Sequence, residues 1–175
     1  GSSKSSTLHP TVTAGDYMLW LEHPGGTLGA NDFYAVKVYS NDDGASEAAE
    51  ASNGTIAGAE PISLTQGMRR RSASMLANVA VSDVDFFSVS TLAGENFSVS
   101  CSGLNVGSGV IGLNVQIQDA AGTVLAEGTE SATESANARI ENQPAADYFV
   151  RVSIASQSED LAADFVRCVF FAFSN

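Results

Sequence analysis

The sequence predicts an all-β sandwich, and three observations carry that prediction. Helix formers are scarce where they would matter: Ser, Thr, Val, Gly, Asn and Ala dominate, in short β-rich runs separated by turn residues. The stretches Phe97 to Cys101 and Leu113 to Gln118 alternate apolar and polar with period two, the period of a half-buried strand. Two separated stretches also repeat one another. Ala145-Ala146-Asp147-Tyr148-Phe149-Val150-Arg151-Val152, then Ala163-Asp164-Phe165-Val166-Arg167-Cys168-Val169-Phe170, matches Ala14-Gly15-Asp16-Tyr17-Met18-Leu19-Trp20-Leu21, then Asn31-Asp32-Phe33-Tyr34-Ala35-Val36-Lys37-Val38. The offset is 131 residues from Asp16 to Asp147 and 132 from Asp32 to Asp164. A repeat at fixed offset implies one complete unit preceded by the last hairpin of another.

In chain order, residues 1–13 read as an extended linker. Residues 14–40 read as the orphan hairpin, with strands at Tyr17 to Leu21 and Phe33 to Tyr39 divided by His23-Pro24-Gly25-Gly26. A two-stranded hairpin is marginal alone in water and must pack on something. Residues 41–175 read as the complete sandwich. Asn41-Asp42-Asp43-Gly44 is its turn-rich boundary. Ala59 to Leu64 reads as an edge segment, because Pro61 cannot donate to a ladder. A loop is expected over Thr65 to Ser74, carrying Arg69, Arg70 and Arg71, and a weak strand over Met75 to Val81. Ser82 to Asp85 reads as a turn before the strand Phe86 to Ser90. Phe97, Val99 and Cys101 should face the core, as should Leu113, Val115 and Ile117. Asp119-Ala120-Ala121-Gly122 turns the chain into Thr123 to Ala126. Thr129 to Asn137 reads as a polar, mobile stretch before the final hairpin.

Composition narrows the function. The formal net charge is −12, with 8 Lys and Arg against 20 Asp and Glu. A nucleic-acid interface needs clustered cations, so that class is excluded. Arg69 to Arg71 is the only basic cluster and reads as a solvated, protease-sensitive loop. No apolar run has the length of a transmembrane helix. No secretory signal opens the sequence, so any such segment was removed or lies upstream. The small-residue, acidic composition suits a secreted or cell-surface bacterial module.

The order of motifs resembles the bacterial pre-peptidase C-terminal domain, a family related in shape to the collagen-binding modules of clostridial collagenases. Ser82-Asp83-Val84-Asp85-Phe86-Phe87-Ser88-Val89 is similar to its Asp-x-Asp-aromatic-aromatic strand. Ala93-Gly94-Glu95-Asn96-Phe97-Ser98-Val99 is similar to its Gly turn and following strand. Leu113 to Ala126 resembles its strand, Asp-x-x-Gly turn and strand, and Ala145 to Val152 its Ala-Gly-x-Tyr strand. Ala146 departs from the usual Gly, and the Arg69–Arg71 loop is longer than expected. The resemblance covers roughly residues 41–175. It implies a jelly-roll-like antiparallel β-sandwich that is secreted, attached to a hydrolase and not itself catalytic. It also implies calcium, held jointly by boundary and turn carboxylates that match Asp42, Asp43, Asp83 and Asp85 by type and order. The alternative is that Asp83 and Asp85 cap their turn and Asp42-Asp43-Gly44 is an ordinary turn.

No catalytic grouping stands out. The only histidines are His9 and His23, both outside the complete repeat, which removes a histidine-based triad or a His/Cys zinc site from it. The acidic residues fall in turns, where solvated side chains are the default. Cys101 and Cys168 both point inward by parity. In an oxidising compartment they bridge the sandwich; otherwise they are small buried hydrophobes too far apart to join.

Parity also locates candidate contacts. Trp20 aligns with Arg151 on the outward face, and Trp20 and Tyr39 are the aromatics expected to meet a polysaccharide or fibrous protein. Tyr148 is a further aromatic, expected in the core. In the last strand Val166, Cys168 and Phe170 face one way, and Val169, Phe171 and Phe173 the other. A strand apolar on both faces is normally covered on both, and the N-terminal hairpin or a second copy is the expected cover. The functional expectation is a non-catalytic accessory module whose partner is its parent secreted protein. A structural repeat of a surface adhesin or envelope lipoprotein, partnered by a neighbouring repeat, and a polysaccharide- or collagen-binding module are its rivals.

Overall fold

A computed structural model describes residues 44–46, 52–77, 79, 81, 83–103, 110–131, 133–157 and 166–174. The expected linker and hairpin of residues 1–40, with Trp20 and Tyr39, and the boundary carboxylates Asp42 and Asp43 lie outside the described residues.

The strands, in chain order, are β1 (Gly44–Ser46), β2 (Glu60–Pro61), β3 (Thr65–Gln66), β4 (Arg71–Ala77), β5 (Val84–Ser90), β6 (Glu95–Ser102), β7 (Val110–Ile111), β8 (Asn114–Gln118), β9 (Val124–Thr129), β10 (Ala136–Gln143), β11 (Asp147–Ser153), β12 (Ser156–Gln157) and β13 (Val166–Phe173). One 3-10 turn, Ile56–Gly58, is the sole helical piece among the described residues. No helix there is long and apolar enough to cross a membrane. The first sheet runs β1-β4-β13-β6-β10, with β3 also pairing β4; the second runs β2-β5-β11-β8-β9; β7 and β12 form a small separate pair. From β4 to β6 the chain changes sheet at each step. It does so again from β9 through β10 to β11. All long pairings are antiparallel, while the short edge strands β1 and β2 run parallel to β4 and β5.

Period-two burial explains the layers. Phe97, Val99 and Cys101 on β6 are buried. So are Leu113, Val115 and Ile117 at β8, Val150 and Val152 on β11, and Val166, Cys168 and Phe170 on β13. Phe87 and Phe170 meet edge to face across the core, with ring centroids 6.2 Å apart, and Phe97 stacks on Tyr148 at 6.4 Å. Each fully buried aromatic contributes about 2–3 kcal/mol. Tyr148 keeps its hydroxyl satisfied by donating toward Gln143 Oε1 and the Pro144 carbonyl.

Four local expectations are corrected. The Arg-rich segment is no ten-residue loop: β3 and β4 close a hairpin at Gly67–Arg70, where the Gly67 N–H donates to the Arg70 carbonyl at 2.9 Å. The strand expected from Met75 begins four residues earlier, at Arg71. The stretch leading to Asn137 is ordered in part: Ser131 accepts from the Glu134 backbone, and β10 then begins at Ala136. Asp85 is not in a turn but is the second residue of β5, fully buried.

Where β9 and β10 meet, the edges of the two sheets almost touch. A Cβ built on Gly128 would lie 2.0 Å from the Asn137 carbonyl oxygen. Only a residue without a side chain permits that approach. At the far end of β10 the register shifts between Ile140 and Gln143. Asn142 there adopts φ 50°, a left-handed conformation that Asn tolerates better than most residues. The buried Asn96 accepts its N–H at 2.9 Å and so holds the bulge in place.

Candidate functional site

Of the expected calcium ligands, Asp83 and Asp85 lie among the described residues. Asp83 accepts a hydrogen bond from the Val84 N–H at 2.8 Å, the role of a turn cap. Asp85 shares the inward parity of Phe87 and Val89. Calcium asks for six to eight oxygen ligands, and among the described residues no three His, Cys, Asp or Glu side chains come together to hold a metal.

Cys101 and Cys168 are joined by a disulfide. It does not bridge the two sheets, as inward parity suggested. β6 and β13 are neighbours in one sheet, and the two cysteines sit directly opposite each other, with Cα atoms 4.1 Å apart. Such closeness is the mark of a non-hydrogen-bonded antiparallel pair. Both residues are fully buried.

Arg71 and Glu95 form a second feature, one that sequence reasoning missed. Arg71 Nε donates to Glu95 Oε1 at 3.1 Å, and its Nη2 donates both to Glu95 Oε2 and to the Ser90 carbonyl at 3.2 Å. Glu95 also accepts the Leu92 N–H at 2.7 Å. One bidentate pair thus ties β4 to the turn between β5 and β6. The Arg71 hydrogen bond holds the Glu95 carboxyl below the usual carboxylate range, against the opposing effect of its burial. A carboxylate whose folded value is depressed stabilises the fold above its unfolded value and loses that contribution as pH falls through the folded one. We therefore expect Glu95→Gln to unfold earlier than the native chain at neutral pH, with the difference shrinking in acid. Weakening a part-buried, charge-assisted pair of this kind costs roughly 1.5–3 kcal/mol. Paired urea titrations at neutral and acid pH read this out; a gap constant with pH would count against it.

The outer face of the first sheet carries the third feature. Phe171 and Phe173 on β13 are half-buried, and each is met by an arginine. The Arg70 guanidinium lies 4.4 Å from the Phe171 ring centroid, and that of Arg139 lies 5.1 Å from the Phe173 centroid. The sequence held half of this signal, in the outward parity of Phe171 and Phe173. The partners come from the β3–β4 hairpin and from β10, which no local pattern connects to β13.

On the second sheet, Asn114 and Gln116 donate to Glu127 Oε1, and these bonds keep the Glu127 carboxyl low. In the turn after β8, Asp119 accepts the N–H groups of Ala121 and Thr123, and the Thr123 backbone bond chiefly lowers its carboxyl. Gly122 completes that turn at φ 81°.

These sheets define a two-layer β-sandwich module with an internal disulfide. No family model matches the chain, and no curated protein does. Among solved structures it is similar to the pre-peptidase C-terminal domain of a collagenase from Bacillus anthracis, at 14% identity and a TM-score of 0.42. That match covers 65% of this chain and 93% of the other. It is also similar to a periplasmic lysozyme inhibitor of g-type lysozyme from Aeromonas hydrophila, at 11% identity and a TM-score of 0.40, covering 66% and 94%. The first is a domain of the family that the motif order resembles. Likenesses this distant concern shape and carry nothing about ligand or activity.

Proposed function

We propose that residues 41–175 are a non-catalytic accessory module of a larger protein exported to an oxidising compartment. The observation that carries this reading is the buried Cys101–Cys168 disulfide. Disulfides persist in secreted and periplasmic proteins and are rare where thiols are kept reduced. The acidic groups described above support the non-catalytic part. Asp83 caps a turn, Glu95 clamps Arg71, Asp119 closes its own turn, and Glu127 accepts from two amides. A general acid or base must reach a substrate proton, and these carboxylates are engaged in holding the fold.

The test is to produce the parent polypeptide in an exporting host with and without residues 41–175. The expected result is a lower yield of soluble exported protein and an unchanged specific activity per folded molecule. A loss of turnover at unchanged yield would place chemistry in this chain and end the accessory reading.

A further inference from the structure

The outer face of the first sheet differs from the rest of this acidic chain. Arg70, at the hairpin tip, and Arg139, on β10, are both exposed, and both lean onto the aromatics of β13. On either side of that strand stand hydroxyls. Phe171 is level with Ser72 on β4 and Ser98 on β6, and so shares its face with them. Among the described residues, the only carboxylate at an outward strand position of this face is Glu141, which pairs with Arg139 at 2.9 Å. Both members of that pair are well exposed, and an exposed pair of this kind is weakly held.

From this arrangement we propose that the face binds an anionic polysaccharide through carboxylate or sulfate groups on its sugar rings. A guanidinium stacked on an aromatic ring is partly desolvated and fixed in orientation, yet its edge N–H groups still point outward. Less freedom is lost when it closes on an anion, and its planar fork matches an oxyanion with two parallel bonds. Phe171 and Phe173 are two residues apart on one strand, so the two stacks are set by anchors about 7 Å apart. A polymer that repeats its anion can engage both, and the second contact then forms at high effective concentration. The flanking serines both donate and accept, as sugar hydroxyls require. A neutral glycan fits less well, because arginine already lies over the two ring faces it would stack on. The net charge of −12 does not forbid the contact. At physiological salt the screening length is about 8 Å, so a bound anion feels the local arginines more than the distant carboxylates.

The experiment uses the full chain in affinity electrophoresis through polygalacturonate, dextran sulfate and neutral dextran. Vesicles of anionic phospholipid are tested beside them. Retardation by polygalacturonate or dextran sulfate but not by neutral dextran is expected, and which polymer acts tells carboxylate from sulfate. The double variant Arg70→Gln/Arg139→Gln should lose roughly tenfold or more in affinity, the loss of about one charge-assisted contact. The double variant Arg70→Lys/Arg139→Lys keeps the charge but loses the planar fork, and should fall between the two. Melting midpoints of all three proteins should stay close. Absence of retardation in both charged polymers overturns the proposal, as does equal retardation of the glutamine variant. Binding to the vesicles without binding to the polymers also overturns it and assigns the exposed Met68–Arg70 tip to a membrane surface.

Discussion

Replacing Cys101 and Cys168 together by alanine is expected to cost about 4 kcal/mol of stability. The bond closes a loop with a sequence separation of 67 residues. Freed from that constraint, the unfolded chain gains conformational entropy that grows with loop length. The loop spans nearly everything from β6 to β13, so most of the second sheet lies between the joined residues. In a thermal scan the loss corresponds to a midpoint lower by roughly 10 °C or more. The native chain unfolded in strong reductant should behave like the double variant. A native chain whose midpoint ignores reductant, or a variant that melts with the native chain, would mean that the cross-strand bond contributes nothing.

Gly128→Ala carries the second large effect, expected near 3 kcal/mol, at the upper end of ordinary overpacking. The added methyl would meet three backbone atoms of Asn137: its oxygen at 2.0 Å, its carbonyl carbon at 2.6 Å and its nitrogen at 2.7 Å. Backbone cannot rotate aside as a side chain can. Relief requires β9 and β10 to part, which opens the join between the two sheets. Gly54→Ala is the control, since a Cβ there has only the Val84 carbonyl near it, at 3.6 Å. Urea midpoints of the two variants decide the matter. If Gly128→Ala unfolds with the control, the close approach of the two edges is not what the fold depends on.

What could be read from residues alone followed from period two. Phe97, Val99 and Cys101, and then Leu113, Val115 and Ile117, are large or apolar at every second place, and all are buried. β10 was missed because its inward residues, Ala136, Ala138 and Ile140, are mostly small, and the polar stretch that ends at Asn137 runs into its start. The Arg71–Glu95 clamp joins residues 24 apart, a distance at which no local signal operates. Asp85 defeated the rule that carboxylates in short polar runs face water. The cysteines show where parity stops: it gives the face of a strand, never its neighbour, and only the placing of β13 beside β6 decides that the pair lies within one sheet. Of the candidate contacts, Trp20, Tyr39, Asp42 and Asp43 lie outside the described residues.

At the margin opposite the β9–β10 join, the first sheet ends in β1 and the second in β2, three and two residues long. One of the two residues of β2 is Pro61, which has no N–H to offer. A long bare margin would offer a foreign strand a row of donors and acceptors, the usual start of intermolecular annealing. Among the described residues, such a newcomer finds a ladder two or three rungs long, broken in one sheet by an imide ring. At that margin, strand addition has little backbone to build on.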